Sequence, residues 1–412
     1  MMSKNIYAFA HWEQFTSPIL VGTLISDIVR GKENFRFSYD IDWLTSPFAQ
    51  QIDPELHLYR GEQYSTNTQN FRIFLDSSPD RWGRLLMKRR EAALAYQENR
   101  RPATLMDSDY LLGVHDMNRM GALRFKTDLD GEFLDNNKQL AAPPFSSLRE
   151  LEFASMKLEQ SDNTDDPDYL KWLYMLMSPG SSLGGARPKA SIIDETRQLW
   201  IAKFPSRHDD YDIAAWEFLA YRLAVPAGII MSPCRIERFN QPYHTFLTQR
   251  FDRIGNIRRH FTSALTQLGY YDGDYEASYL EIAQFLAEKG SNTRHDLAQL
   301  WKRIVFNIAI SNTDDHLRNH GFVYTNNGWQ LSPAYDLNPT TAQGLHLNIT
   351  DKDNRLDYQL AFDVAEFFQL TDIQAKKHYD EVLFSVKNWQ KVAFEIGIPR
   401  SEQETMKFAF NL

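Results

Sequence analysis

One stretch constrains this chain more than any other. Leu297, Leu300, Trp301, Ile304, Val305 and Ile308 recur at i, i+3 and i+4 spacing. That is the period of a helix face, and it predicts a buried helix over Asp296–Ser311. Signals after about residue 260 are otherwise mostly helical. TDIQAKKHYDEVLFSVKNWQKVAFEIG holds one or two more helices, with Thr371 as a cap and Gly397-Ile398-Pro399 as the stop.

The first 260 residues read differently. Ile19–Ile25 and Phe35–Leu44 look like strands, the second with aromatic alternation. Arg84–Arg100 looks like a charged helix. YLLGV and GALRF, from Tyr110 and Gly121, look like short buried elements. ASIID and LWIAKF, joined by the polar ETRQ, read as two strands within Ala190–Phe204, and Tyr243–Phe251 reads as another. DIAAWEFLAYRLAVPAG is an amphipathic helix, with Asp212 as its N-cap and Gly228 past its end. Breaks fall at Pro143–Pro144 and in the polar run Ser161–Asp168. The expectation is an α+β chain divided at 1–142, 143–253 and 254–412, a mixed α/β part preceding a mainly helical one. A β-rich middle before a helical C-terminal half is the lobe order of a kinase-like fold.

Composition narrows the function. With 43% hydrophobic and 13% aromatic residues the chain builds real cores, so a disordered protein is excluded. Its net charge of −9 argues against a chain that wraps nucleic acid by itself, because phosphate binding rests on Lys and Arg. Cys234 is the single cysteine, so no intrachain disulfide forms. We read no signal peptide at the N-terminus and no apolar run near the ~18 residues of a membrane span, which predicts a cytoplasmic protein without a membrane partner.

The chemistry concentrates in NIAISNTDDHLRNHGFVY and the following WQLSPAYDLNP. Phosphoryl transfer needs a group to accept the proton of the acceptor hydroxyl, oxygen ligands for Mg²⁺ and a cation for the nucleotide phosphates. Asp314 and Asn319 have the D-x-x-x-x-N spacing of a kinase base and metal-binding Asn. Asp336 follows a predicted β-hairpin with its turn at Asn327-Gly328. Lys203 ends the apolar strand LWIAKF, as the phosphate-binding lysine of kinases does, and Glu217 on the next helix could pair with it. In SPGSSLGGARPKASI, Gly184 and Gly185 let the backbone approach a ligand, and Ser181, Ser182, Arg187 and Lys189 offer donors and positive charge.

At these residues the chain resembles the HipA family of Ser/Thr kinases, toxins of bacterial toxin–antitoxin pairs. The likeness runs through SSLGGARPK, WIAKFP, the helix with Glu217 and LAVPAGI, TQRFDR, NTDDHLRN and SPAYDL, over about residues 178–340. FLDSSPDRWGRLL and YLLGVHDMNRMGALRF look like the family's N-terminal subdomain. The resemblance implies a two-lobed kinase fold using ATP and Mg²⁺, with Asp314 as catalytic base supported by His316, and Asn319 and Asp336 as metal ligands. It implies Lys203 on the nucleotide phosphates. It gives Gly184, Gly185, Ala186, Arg187 and Lys189 as the phosphate loop, and Gln249, Arg250 and Phe251 as the hinge beside adenine. Gln249 stands where the family often has Glu. Ser182, or its neighbour Ser181, matches a serine whose autophosphorylation silences the kinase. Implied partners are a protein substrate such as an aminoacyl-tRNA synthetase, and a small helix-turn-helix antitoxin through which operator DNA is contacted mostly indirectly.

Three other readings stand beside it. Asp314, Asp315, His316 and His320 could form a metal-dependent hydrolase site. The chain could be a catalytically inactive co-repressor scaffold with an antitoxin. A small-molecule kinase would use the same motifs.

Overall fold

The computed structural model describes residues 3–66, 69–160, 168–177, 185, 187–273 and 276–412. The chain divides into two compact units, Met1–Arg207 with Asp252–Thr262, and His208–Phe251 with Ser263–Leu412. Pro143 and Pro144 lie inside the first unit. Ile193 N donates to Pro143 O (2.9 Å), so this segment runs beside the Lys189–Ile193 strand. The polar run lies outside the described residues, apart from Asp168.

The first unit holds a five-stranded antiparallel sheet, in the order Glu62–Tyr64, Lys32–Tyr39, Ile19–Val29, Ser3–Ala10, Leu123–Lys126. Its sequence alternates as a one-sided sheet requires. Ile6, Ala8 and Ala10 on one strand and Phe35, Phe37 and Tyr39 on another are buried. The expected Phe35–Leu44 strand stops at Tyr39. The Asp40 carboxylate accepts a hydrogen bond from Asp42 N (2.9 Å) and starts the short helix Ile41–Thr45, which buries Trp43. The charged helix likewise begins a turn early, at Arg81, because the Asp80 side chain caps Gly83 N (2.9 Å). The expected pair around ETRQ forms as Lys189–Ile193 and Leu199–Lys203 in antiparallel register. Asp194 shapes the turn by accepting from Thr196 N (2.9 Å) and Gln198 N (2.8 Å).

The second unit is built around the helix the apolar stripe predicts, observed as Thr293–Ile310. All six stripe residues are inaccessible to solvent, and so is most of the rest of its circumference. Helices Tyr279–Lys289, Tyr358–Asp363 and Asp372–Val386 enclose it. Trp301 Nε1 donates to Ala361 O (2.8 Å). The helix stops at Ser311, which takes a left-handed conformation (φ 49°). Asn411 fastens that end, donating from Nδ2 to Ile308 O (2.6 Å) and Ser311 Oγ (3.0 Å). Thr371 caps its helix by accepting from Gln374 N, and Gly397 (φ 89°) ends the Trp389–Ile396 helix. The hairpin forms as Gly321–Thr325 and Gly328–Leu331, and Thr325 pairs with Gly328. Asn326 and Asn327 are therefore the tip, one residue earlier than expected. Gly328 at φ 123° opens the returning strand, a value a side chain would resist. No helix among the described residues is long and apolar enough to cross a membrane.

Asp212 caps the helix Ile213–Ala224 as its position suggests, accepting from Ala215 N (3.1 Å), His244 N (3.1 Å) and the His244 ring. Burial raises its pKa, but the bonds from His244 and Ala215 outweigh that and hold it below the usual carboxylate value. Such a depressed acid stabilises the fold above its unfolded pKa and loses that contribution as pH falls. Asp212→Ala should therefore lower unfolding free energy by about 1–2 kcal/mol at neutral pH. In urea titrations the gap to wild type should shrink below pH ~4.

Candidate active site

Between Ile310 and Gly321 the chain makes only one turn of 3-10 helix, Leu317–Asn319. Side chains hold this loop in place. Asp315 is buried and accepts from Tyr279 Oη (2.6 Å), Asn307 Nδ2 (2.7 Å) and the His320 ring at Nε2 (2.8 Å). Burial pushes its carboxyl up, but the charge and hydrogen bond of His320 with the Tyr279 hydroxyl bring it below the usual range. Burial and the Asp315 charge push the Tyr279 phenol well above its ordinary value. A buried carboxylate with three donors is stable, whereas its removal strands all three.

With Asp315 turned inward, its neighbour Asp314 is carried on the same loop. Asn319 Nδ2 donates to Asp314 O (3.0 Å), and Asn319 N donates to His316 O (2.8 Å). The Asn319 Oδ1 is buried and has no hydrogen-bond partner among the described residues. A buried acceptor left so is costly unless a further group, such as a water or an ion, completes it. His316 packs edge-to-face on His346, ring centroids 5.7 Å apart. Burial, then the His316 ring, holds the His346 imidazole below its usual pKa, while Asp314 acts the other way.

Asp336 lies in the second segment of the pair and adopts φ 59°. A non-glycine residue there costs about 1–2 kcal/mol, a strain typical of functional sites. Its segment is gripped on several sides. Ala334 N donates to Ile230 O (2.8 Å), Ser332 N donates to Gly321 O (2.9 Å), and the buried Arg303 donates to Ser332 O. Gln299 clamps the 228–230 turn from the central helix, donating to Gly228 O (2.8 Å) and accepting from Ile230 N (3.0 Å). Ile230 and Met231, which directly follow the LAVPAGI motif, thus support SPAYDL at Ala334. Tyr335 Oη donates to Arg318 O (2.7 Å) and stacks on Phe251, centroids 5.7 Å apart. Asn338 Nδ2 donates to Asp336 Oδ1 (3.3 Å) and Asn338 N to Asn312 Oδ1 (3.2 Å). Asn312 Nδ2 in turn donates to Asn307 Oδ1 (3.1 Å). The second unit therefore joins Asp314, His316, Asn319, Asp336 and Phe251 in one network. Gln249 ends the Thr245–Gln249 strand, Arg250 is buried, and Glu217 is buried on the Ile213–Ala224 helix.

The remaining candidates belong to the first unit. Lys203 is the last residue of its strand, paired in register with Lys189. Lys189 is not an open cation: its Nζ donates to Asp80 Oδ2 (2.7 Å), both side chains being buried. Trp82 Nε1 donates to Lys189 O (3.2 Å), so FLDSSPDRWGRLL grips the end of SSLGGARPK. Gly185 has φ 98°, a conformation that favours glycine, and Arg187 is half-buried. Ser181, Ser182, Gly184 and Ala186 lie outside the described residues. The end of TQRFDR also belongs here. Asp252 accepts from Gly121 N (2.8 Å), and Arg253 donates to Gly121 O (2.9 Å) and Arg119 O (2.6 Å).

The hydrolase alternative finds no metal cage. Among the described residues no group of three or more His, Cys, Asp or Glu side chains converges on one point, and His320 turns inward to Asp315. An Asp–Asn–Asp set, with one Asn oxygen unpaired, instead offers the hard oxygen donors that Mg²⁺ prefers. Sequence reasoning passed over Tyr279, Asn307, Asn312, Asn338 and His346. Asn307 carried no local sign, since Asp296 and Arg303 share its helix face with Leu300.

The fold is that of the HipA kinases. The chain superposes on HipA from a Shewanella oneidensis complex of HipA, HipB and operator DNA with TM-score 0.63, covering 98% of this chain and 94% of that one at 18% identity. A match to the family described as HipA-like C-terminal domain covers residues 181–403, more than half of the chain, and the chain belongs to that family. It is 33% identical over 179 residues to a putative kinase of Haemophilus influenzae, covering 38% of this chain and 52% of that protein. It is 24% identical over 227 residues to the serine/threonine-protein kinase toxin HipA of Shewanella oneidensis, covering 47% and 52%. The chain thus spans about half the length of these curated relatives.

Asp315→Ala should destabilise the protein by about 3 kcal/mol or more. Tyr279→Phe should cost about 1 kcal/mol. Chemical denaturation monitored by Trp fluorescence checks both, and equal effects would contradict the central place of the carboxylate.

Proposed function

We propose that this chain is an ATP- and Mg²⁺-dependent protein serine/threonine kinase of the HipA type. The observation that carries the reading is the coupled pair of acids. Asp314 sits on a loop held from within by Asp315, and a ladder of asparagines joins that loop to the strained Asp336. Asp314 accepts the proton of the acceptor hydroxyl as its oxygen bonds to the γ-phosphorus. The bond from that phosphorus to the bridging oxygen breaks, and ADP leaves. Asn319 and Asp336 hold the metal, whose charge, when bound, neutralises the phosphate oxygens. Lys203 holds the nucleotide phosphates, with Glu217 as its support. Gly184, Gly185, Ala186 and Arg187 cradle them, and Lys189, paired with Asp80, anchors the end of that loop. Gln249 and Arg250 meet adenine through their backbone, and Phe251 steadies the Asp336 segment through Tyr335. His316 supports the Asp314 loop through its ring contact with His346.

The resemblance extends the reading. Autophosphorylation of Ser182, or Ser181, would limit the kinase. The substrate is a protein of the translation apparatus, such as an aminoacyl-tRNA synthetase, in the cytoplasm. A small DNA-binding antitoxin is the partner, in keeping with the HipA–HipB–operator complex of the Shewanella protein and with a net charge of −9 that leaves DNA contact largely to that partner.

Purified protein incubated with labelled ATP and Mg²⁺ should incorporate phosphate. Asp314→Asn should slow incorporation by roughly 10²–10⁴-fold, and phosphosite mapping should find the label on Ser182 or Ser181. No incorporation and no nucleotide binding by calorimetry would leave the inactive scaffold as the better reading.

A further inference from the structure

Two asparagines in this site are arranged alike. Asn319 donates its Nδ2 to the carbonyl of Asp314, and its Oδ1 is buried without a partner among the described residues. Asn338 donates its Nδ2 to the carboxylate of Asp336, and its Oδ1 is likewise buried without a partner. In each case the amide donor is spent on the acidic segment, which fixes the way round the amide lies. In each case an acceptor remains that none of the described residues fills. Kinase motifs account for Asn319 but contain nothing at the position of Asn338.

We propose that Asn338 is a positioning residue of the metal site: its Nδ2 fixes the Asp336 carboxylate, and its Oδ1 accepts a hydrogen bond from a water of the bound divalent cation. This rests on the kinase reading above. The chemistry fits, because Mg²⁺ keeps several of its waters and each such water needs an acceptor. The backbone supports it too. Asn338 N is held by Asn312 Oδ1 (3.2 Å), Asn312 by Asn307, and Asn307 by the buried Asp315. The left-handed turn at Asp336 is thus braced two residues later by a chain of amides that begins at the catalytic loop.

The test uses the full chain with Mn²⁺ as a spectroscopic substitute, titrated with a non-hydrolysable ATP analogue and followed by electron paramagnetic resonance. Asn338→Leu keeps the size and removes both polar groups, whereas Asn338→Gln keeps both an amide donor and an acceptor oxygen. Asn338→Leu should weaken Mn²⁺ binding roughly 10–100-fold and raise the metal concentration for half-maximal phosphorylation more than it lowers kcat. Asn338→Gln should recover most of the affinity. Metal-free nucleotide binding and the metal-free melting temperature should match wild type in both. Unchanged Mn²⁺ affinity in Asn338→Leu, with wild type binding normally, overturns the role of Asn338 alone. Equal losses in both variants with a lowered metal-free melting temperature also overturn it, as a merely structural residue. Failure of wild type to bind Mn²⁺ with nucleotide overturns the kinase reading as well.

Discussion

The site depends on one buried carboxylate. Asp315 lies in a segment with almost no regular secondary structure, so few backbone hydrogen bonds set its course. Three donors from three places do so instead: Tyr279 from one helix, Asn307 from the central helix and His320 from the far end of the loop. A charge withdrawn from water tolerates only a narrow set of geometries, since each missing donor costs much of its desolvation. That intolerance makes Asp315 a locating pin, and the position of Asp314 follows from it.

The same economy joins the motifs to one another. LAVPAGI and SPAYDL are about a hundred residues apart, yet the two residues that follow the first, Ile230 and Met231, run beside Ala334 of the second, and Gln299 of the central helix clamps the turn before them. TQRFDR serves both units. Phe251 stacks beside Asp336, whereas Asp252 and Arg253 tie into the turn at Gly121. In the first unit Asp80 and Trp82 grip Lys189. Many residues that make this chain resemble its family hold its loops and strand ends in place through buried hydrogen bonds.

Elements with local causes were legible before the structure. The six-residue stripe marked the central helix, and Asp212 and Thr371 marked helix starts because caps act within one turn. Where the reading slipped, a short-range competitor was at work. Asp40 turned the end of a strand into a helix, Asp80 started a helix early, and the register of Thr325 moved a hairpin tip by one residue. As candidates, Asp314, Asn319 and Asp336 were legible from spacing. Tyr279, Asn338 and His346 were not, because nothing near them in the chain distinguishes them from ordinary surface or core residues.

Lys189 shows the division most plainly. Its sequence context offers a cation at the end of a glycine-rich loop, and its partner Asp80 stands 109 residues away. Most helices, the caps at Asp212 and Thr371, and the order of the chemically capable residues follow from periodicity and spacing, which are local properties. Packing settles which charges are withdrawn and paired, as with Lys189 and Asp315, and which oxygens lack a partner among the described residues, as with Asn319 and Asn338. Burial and hydrogen-bond satisfaction are properties of the whole packed unit, and no window of sequence contains them.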